Sequence, residues 1–190
     1  MTYADVLRPT IKRQAMLYDI SLIAGGSIFL ALLAQLAIPL PFTGVPITGQ
    51  TFGVLLIGAL LGSRRGPLTI LAYLSEGVAG LPVFAGGLAG PAVFAGPTGG
   101  YLLGFAFAAF LTGLLAEHGW DRKVGSTFIM MLIGTTVIFL CGALWLGFLV
   151  PWHQVITLGV LPFLPGALIK ISLATLLLPS GWKMIQRFQE

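Results

Sequence analysis

The stretch VGSTFIMMLIGTTVIFLCGALWLGFLV, residues 124–150, runs for 27 residues without Asp, Glu, Lys or Arg. A helix needs about 20 mostly apolar residues to cross a bilayer. Pro151 follows directly, and proline cannot continue a helix from upstream. We therefore predict a membrane-spanning helix over residues 125–150.

The rest of the chain has the same character. Of its 190 residues, 57% are hydrophobic and only 8% are charged, and the mean hydropathy is +0.98. Soluble domains carry about 25% charged residues, and a small protein cannot bury this much apolar surface in its own core. We predict an all-α integral membrane protein with a single domain over residues 1–190. The polar and charged first 14 residues argue against a cleaved signal peptide.

Five more segments fit spanning helices, and charge placement supports a total of six. Cytoplasmic loops carry the excess of Lys and Arg. With six helices, nine basic residues fall on one side, so both termini are predicted to be cytoplasmic. The other predicted helices are 17–38, 51–62, 66–81, 99–116 and 166–187. The nine residues are Arg8, Lys12, Arg13, Arg64, Arg65, Arg122, Lys123, Lys183 and Arg187.

Three outer loops, 39–50, 82–98 and 151–165, carry no formal charge and are rich in Gly, Pro and aromatic residues. Irregular backbone at membrane depth is tolerated only where protein buries it or a cavity lies beside it. We predict that these loops cap a ligand cavity, with a tight lid that binds nothing as the alternative. Candidate wall and hydrogen-bonding residues are Phe42, Phe84, Phe94, Tyr101, Trp152, Phe163, Thr43, Thr48, Gln50 and Thr98.

Lys170 stands alone between two charge-free runs and is the one basic residue that the topology does not explain. Pro165 and Gly166 come just before it, which places it near the outer start of the last helix. A charged lysine in hydrocarbon costs ~2.5–3.5 kcal/mol and usually faces a cavity or the protein interior. We predict a counter-ion for an anionic ligand. The alternatives are snorkelling to the interface and pairing with Glu76.

Catalytic and metal-binding patterns are missing from the sequence. There is no GxxxxGK[ST] phosphate loop, and the six acidic residues are dispersed. His118 and His153 fall on opposite sides of the predicted membrane, and Cys141 is the only cysteine. The basic residues occur in ones and twos, which does not suggest nucleic-acid binding. We expect no enzyme and no metal site.

Four stretches together resemble one family of membrane proteins. They are IPLPFTGVPITGQTFGVLLIGALLG (38–62), GLPVFAGG (80–87), GPTGGYLLGF (96–105) and LPFLPGALIK (161–170). They resemble BioY, the biotin-binding S component of energy-coupling factor transporters, over about residues 30–175. The resemblance implies a six-helix subunit for biotin uptake in a bacterial-type plasma membrane. Biotin would be the transported ligand, with no cofactor. The alternative is an S component for another small vitamin.

Carried onto this chain, the resemblance gives Lys170 the role of pairing with the biotin carboxylate. Phe84, Tyr101 and nearby glycines would pack on the ring system, and Gln50 or Thr98 would reach the ureido group. The expected binding residues are Lys170, Phe84, Gly86, Gly87, Thr98, Gly99, Gly100, Tyr101, Gln50, Thr48 and Gly166. The family motif PGDxxK has an acid where this chain has Ala167, and Leu88 and Ala89 follow the paired glycines where polar groups can occur.

The resemblance also implies partners: a transmembrane coupling protein (T component) and two ATPases. S components of this type dock through small residues four apart on helix 1. The candidates here are Ser21 with Gly25, and Ser27 with Ala31, and these small residues could equally serve packing within the bundle. A stand-alone transporter without dedicated ATPases is a further alternative. A membrane enzyme acting on a lipidic substrate lacks catalytic groups, and a purely structural role leaves Lys170 unexplained.

Overall fold

The computed structural model describes residues 2–189, and side chains over residues 2–185. The C-terminal region Trp152–Ile185 and four other helices are apolar and long enough to cross a membrane, which confirms the predicted helical membrane fold. Short 3-10 turns cover Ala85–Gly87 and Leu161–Phe163. The elements in chain order are α1 (Tyr3–Val6), α2 (Lys12–Gln35), β1 (Ala37–Ile38), β2 (Ile47–Thr48), α3 (Gln50–Val78), α4 (Ala92–Ala95), α5 (Gly99–Glu117), α6 (Val124–Leu146), α7 (Trp152–Gly159) and α8 (Leu164–Gln189).

The continuous element α3 covers the helix predicted over 51–62 and most of the helix predicted over 66–81, and it ends at Val78. It breaks at Gly62, where φ is 87° and ψ is −179°, a conformation open essentially to glycine alone. Its two halves lie side by side, because Gln50 Nε2 is 2.8 Å from the Tyr73 hydroxyl although 23 residues separate them. Ser63 donates to Glu117 from both its backbone nitrogen (2.7 Å) and its hydroxyl (2.8 Å), which fixes the turn.

Other helix boundaries differ from prediction for local reasons. The first long helix, α2, stops at Gln35, because Ala37 and Ile38 pair antiparallel with Thr48 and Ile47. The next-to-last long helix, α6, ends at Leu146 rather than at residue 150. The third outer loop contains the helix α7, which was predicted as irregular. The last helix, α8, starts at Leu164, so a proline stands at its second position, where its missing N–H has no helical partner to lose.

The small residues of α2 that were predicted as docking candidates lie on two different faces. Ser21 and Gly25 are exposed. Ser27 is fully buried and donates to Glu76 (2.5 Å). Ala31 does not lie on a free surface, because it is half-buried and packs against the hydrophobic core. Ser27 and Ala31 thus correspond to the alternative, packing within the bundle.

Charged and aromatic groups tie the two termini together at one end of the bundle. Arg65 pairs with Asp5 (2.8 Å) and Asp19 (2.7 Å), and Arg8 also pairs with Asp19 (2.7 Å). Tyr3 packs on the indole of Trp182 with ring centroids 4.5 Å apart. This end therefore gathers basic residues from the predicted cytoplasmic segments. The side chain of Arg187 lies outside the described side chains.

The three outer loops meet at the opposite end. Gly44 in the first loop lies against Pro97 in the second, where an added Cβ would be 2.9 Å from the proline Cγ. Trp145 Nε1 donates to the carbonyl of Gly96 (3.0 Å), which ties α6 to the second loop. The Tyr101 hydroxyl donates to the carbonyl of Gly159 (2.6 Å), which ties α5 to the third. These contacts place the charge-free loops over one end of the bundle, as predicted.

Candidate binding cavity

A cavity lies beneath the three outer loops, between the first turns of α3, α5 and α8. Its wall is mostly apolar with a few polar groups, the usual composition of a small-molecule site. Among the described side chains, the one charged group in this wall is Lys170. The lining residues are Val45, Pro46, Ile47, Thr48, Gln50, Thr51, Leu55, Thr98, Tyr101, Leu102, Phe105, Thr135, Phe139, Phe163, Ala167 and Lys170.

Three helix N-termini converge on this cavity. Gln50 is the first residue of α3, Tyr101 is the third of α5, and Ala167 is the fourth of α8, and all three line the wall. A helix N-terminus carries about half a positive charge and points unpaired N–H groups outward. Together with the Lys170 ammonium, and with no acidic residue among the described lining residues, these ends favour an anion.

The neighbours of Lys170 are neutral. Its Nζ donates to the carbonyl of Thr48 (2.5 Å) and to the hydroxyl of Thr51 (2.9 Å). An ammonium has three N–H donors, so one remains for a ligand. Among the described residues Lys170 forms no salt bridge, and Glu76 instead accepts a hydrogen bond from Ser27 (2.5 Å). The structure therefore does not pair Lys170 with Glu76, and it places the half-buried lysine in the cavity wall.

Two further polar residues predicted for the site, Gln50 and Thr98, also line the cavity. The side chain of Gln50 is 3% exposed, and its Nε2 donates to the Tyr73 hydroxyl. Thr98 occupies the N-cap position of α5, yet its side chain makes no capping hydrogen bond. Both residues thus bring hydrogen-bonding groups to the wall. Thr48 contributes its carbonyl to Lys170 and accepts from the backbone N–H of Gln50 (3.3 Å).

Aromatic rings form an apolar part of the wall. Phe163 lies between Tyr101 and Phe139, with ring centroids 6.4 Å away in each case. Because the Tyr101 hydroxyl is bonded to Gly159, this residue offers the cavity its ring rather than its polar end. These surfaces suit a fused ring or an alkyl chain.

Phe84, Gly86 and Gly87 were predicted as binding residues but lie outside the cavity wall. Phe84 is 1% exposed and fills the space over Gly77, edge-on to Tyr73 with ring centroids 5.6 Å apart. Gly86 and Gly87 are exposed and have φ values of 70° and 74°. The turn that Gly86 and Gly87 form needs a positive φ, which favours glycine. These two residues and Phe84 therefore shape the second loop.

Close packing requires two of the three remaining predicted glycines, Gly99 and Gly100, and leaves room for a side chain at Gly166. Gly99 and Gly100 are buried at the start of α5, against the backbone of Phe94 and the side chain of Trp145 respectively. Gly166 is half-buried, and an added Cβ would lie 3.9 Å from a methyl of Ile47. None of the three is among the lining residues.

Several lining residues were missed by sequence reasoning. Phe105 and Phe139 lie within long apolar helices, where the sequence gives no sign of which aromatic ring faces inward. Thr51 follows Gln50 directly and could have been suspected from its position at the end of the first outer loop. The other missed residues are Val45, Pro46, Ile47, Leu55, Leu102 and Thr135.

Comparison with known proteins places the chain in one family. The model of the BioY family matches residues 8–187. Biotin transporter BioY2 of Lactococcus lactis subsp. cremoris is 39% identical over 165 residues, covering 84% of this chain and 87% of its own. Biotin transporter BioY of Thermotoga maritima is 40% identical over 156 residues, covering 79% and 89%.

A solved structure supports the same assignment. The crystal structure of the S component for biotin from an ECF-type ABC transporter superposes with a TM-score of 0.81 at 31% identity. The match covers 92% of this chain and 95% of that one. Family model, relatives and fold agree over most of the chain, and the resemblance read from four short stretches is confirmed: this chain is a member of the BioY family.

Proposed function

We propose that this protein is the substrate-binding S component of a biotin transporter. The observation that carries the proposal is Lys170, a cation without an acidic partner among the described residues, in a cavity wall where three helix N-termini converge. Biotin presents one carboxylate at the end of an alkyl chain and a fused ring with a ureido group at the other. The relatives' names, which are those of biotin transporters, point to the same ligand.

In the proposed complex the carboxylate binds the free N–H of Lys170. The chain and ring lie against Tyr101, Phe139 and Phe163, and the ureido group meets Gln50 or Thr98. The described part of the cavity wall contains no acidic group to compete for the lysine, and Ala167 occupies the position where the resemblance implies an acid. An S component for another small vitamin is the second candidate, and Ala167 is the observation that favours it.

We further propose a topology of six spans within one domain, with both termini in the cytoplasm and the protein in the plasma membrane. The two halves of α3 count as separate spans, since Gln50 and Tyr73 are in contact across them. The basic cluster of Arg8 and Arg65 with its acidic partners lies at the end away from the cavity. Labelling of single introduced cysteines from either side of the membrane tests this arrangement.

The proposed assembly includes a transmembrane coupling protein and two ATPases, because the chain has no phosphate loop and is proposed not to be an enzyme itself. Of the two candidate pairs of small residues, Ser21 with Gly25 is the one we propose for docking. Both residues are exposed, and no atom lies within 4 Å of a Cβ built at Gly25. Ser27 and Ala31 are not proposed for docking, because Ser27 is bonded to Glu76 and Ala31 packs against the core.

The test of the docking face is Gly25→Leu, with Ile28→Leu on the same helix as the matched control. Ile28 is 61% exposed, and this change conserves volume. We expect Gly25→Leu to abolish co-purification with the coupling protein while the control retains it. Co-purification of Gly25→Leu at the wild-type level would exclude this face.

The test of ligand identity is equilibrium binding of biotin, and of other small vitamins, to detergent-purified protein. We expect biotin to bind best, with a dissociation constant well below tens of micromolar. Weaker binding, or tighter binding of another vitamin, would overturn the assignment. Uptake into proteoliposomes with and without ATPases then decides between an ATP-driven complex and a stand-alone transporter.

A further inference from the structure

Tyr73 stands behind the cavity wall, between that wall and the second outer loop. It is fully buried (0% exposed) and does not line the cavity. Its hydroxyl oxygen accepts from Gln50 Nε2 at 2.8 Å, and its hydroxyl proton is directed to the carbonyl of Val83 at 3.0 Å. Tyr73 therefore links a cavity residue to the loop that covers the cavity.

The chemistry of these three groups fixes the direction of every hydrogen bond. A carbonyl oxygen can only accept, so the single hydroxyl proton of Tyr73 goes to Val83. The hydroxyl oxygen then has only lone pairs left for Gln50, and the amide of Gln50 must turn its NH₂ group toward Tyr73. The opposite orientation would place two acceptors face to face.

The amide oxygen of Gln50 is left without a described hydrogen-bond partner, and Gln50 belongs to the cavity wall. An acceptor held in this way rejects a ligand that offers only acceptors, because a polar group without a partner loses about 1–3 kcal/mol. The cavity thus combines the Lys170 ammonium, which can bind an anionic group, with the fixed amide oxygen of Gln50, which can bind an N–H group.

We propose that Tyr73 is a positioning residue that fixes the Gln50 amide, so that the cavity selects ligands carrying an N–H donor as well as a carboxylate. This inference rests on the proposed function. In biotin the ureido group supplies the N–H donors. The proposal assigns the ureido group to the amide oxygen of Gln50. The selectivity then depends on Tyr73, a residue that does not touch the ligand.

The experiment compares biotin with an isosteric analogue in which ring oxygens replace the two ureido N–H groups. For the wild-type protein we expect biotin to bind at least about 10-fold more tightly. In Tyr73→Phe the amide of Gln50 is free to turn and offer its NH₂ group to the analogue. We expect the ratio of the two dissociation constants to fall by about 3- to 10-fold while the ring still packs against Phe84.

The matched control is Tyr3→Phe, because the Tyr3 hydroxyl also bonds to a backbone carbonyl, that of Leu178, but at the other end of the bundle. We expect this variant to keep the wild-type ratio. If Tyr73→Phe does not fold, Gln50→Met replaces it, and we expect the same loss of discrimination.

The outcomes separate this inference from the proposed function. A wild-type protein that does not bind biotin would refute the proposed function. A wild-type protein that binds biotin and the analogue equally well, or a Tyr73→Phe variant with an unchanged ratio, would refute the role of Tyr73 while the biotin assignment stands.

Discussion

The Lys170 ammonium lies 2.9 Å from the hydroxyl of Thr51, so this half-buried lysine has a neutral oxygen as its partner instead of a carboxylate. The second partner, the carbonyl of Thr48, is also neutral. Two hydrogen bonds hold the ammonium in place without cancelling its charge. Its full electrostatic partner is therefore expected to arrive with the ligand.

Replacing Lys170 by methionine should weaken biotin binding by about 10- to 150-fold, since a hydrogen bond to a charged group is worth ~1.5–3 kcal/mol. Binding of biotinamide, which has no carboxylate, should change much less. Isothermal titration calorimetry with both ligands measures the difference. The matched control is Lys183→Met, at an exposed lysine in the last part of α8. Equal losses for both ligands would show that Lys170 does not bind the carboxylate.

Thr51→Val removes the hydroxyl that orients Lys170 but keeps the branched shape. We expect biotin to bind about 3- to 10-fold more weakly, a smaller loss than for removing the ammonium itself, because Lys170 keeps its charge and its hydrogen bond to the Thr48 carbonyl. Thr51→Ser should restore most of the affinity because it retains the hydroxyl. A serine variant as weak as the valine variant would point to packing instead of orientation.

Ala167→Asp introduces a carboxylate three residues before Lys170, at the position where the resemblance to the motif PGDxxK implies an acid. Residues three apart are neighbours on a helix, so the new carboxylate should pair with the lysine and compete with the ligand. We expect biotin to lose affinity relative to biotinamide, as measured by competition binding. Ala167→Asn supplies a side chain of the same shape without charge and should leave that ratio near the wild-type value.

Gly62→Ala should destabilise the protein. The φ of 87° and ψ of −179° are strained for any residue with a Cβ, and that Cβ would lie 2.7 Å from Glu117 Oε1. A loss of about 1–3 kcal/mol is expected, visible as a lower melting temperature in detergent. Gly25→Ala, at an open position within α2, should instead keep or raise the melting temperature.

Because of the Asp5 carboxyl, we expect the stability of the folded protein to fall with pH in the acidic range. Burial raises its pKa, but hydrogen bonds from Thr2 and Arg65 outweigh this and hold the pKa below the ordinary value of 3.8. A lowered pKa in the folded state contributes stability above pH 3.8 that is lost as pH falls through the folded value. The melting temperature should therefore drop from about pH 5 toward pH 3. In Asp5→Asn that drop should be smaller, and an unchanged slope would contradict this assignment.

Features that depend on composition and charge could be predicted from the sequence. The apolar helices, the shared end of the outer loops and the place of Lys170 in a cavity follow from the cost of moving charge and unpaired backbone into hydrocarbon. The sequence could not predict which side chains face the cavity where every neighbouring residue is apolar. Phe139 lines the cavity and Phe84 does not, although Phe84 had the more suggestive loop position. Only tertiary packing against Gly77 and Tyr73 decides that.

The lone charge of Lys170 also has an electrical consequence. In the proposed complex the empty subunit holds one uncompensated positive charge at this depth of the membrane, and the loaded subunit holds none. Moving one elementary charge across the full transmembrane field changes its free energy by about 2.3 kcal/mol per 100 mV. Any motion that shifts this cavity along the membrane normal would therefore depend on voltage in the empty subunit. With the vitamin bound, the same motion would move no net charge and would not depend on voltage.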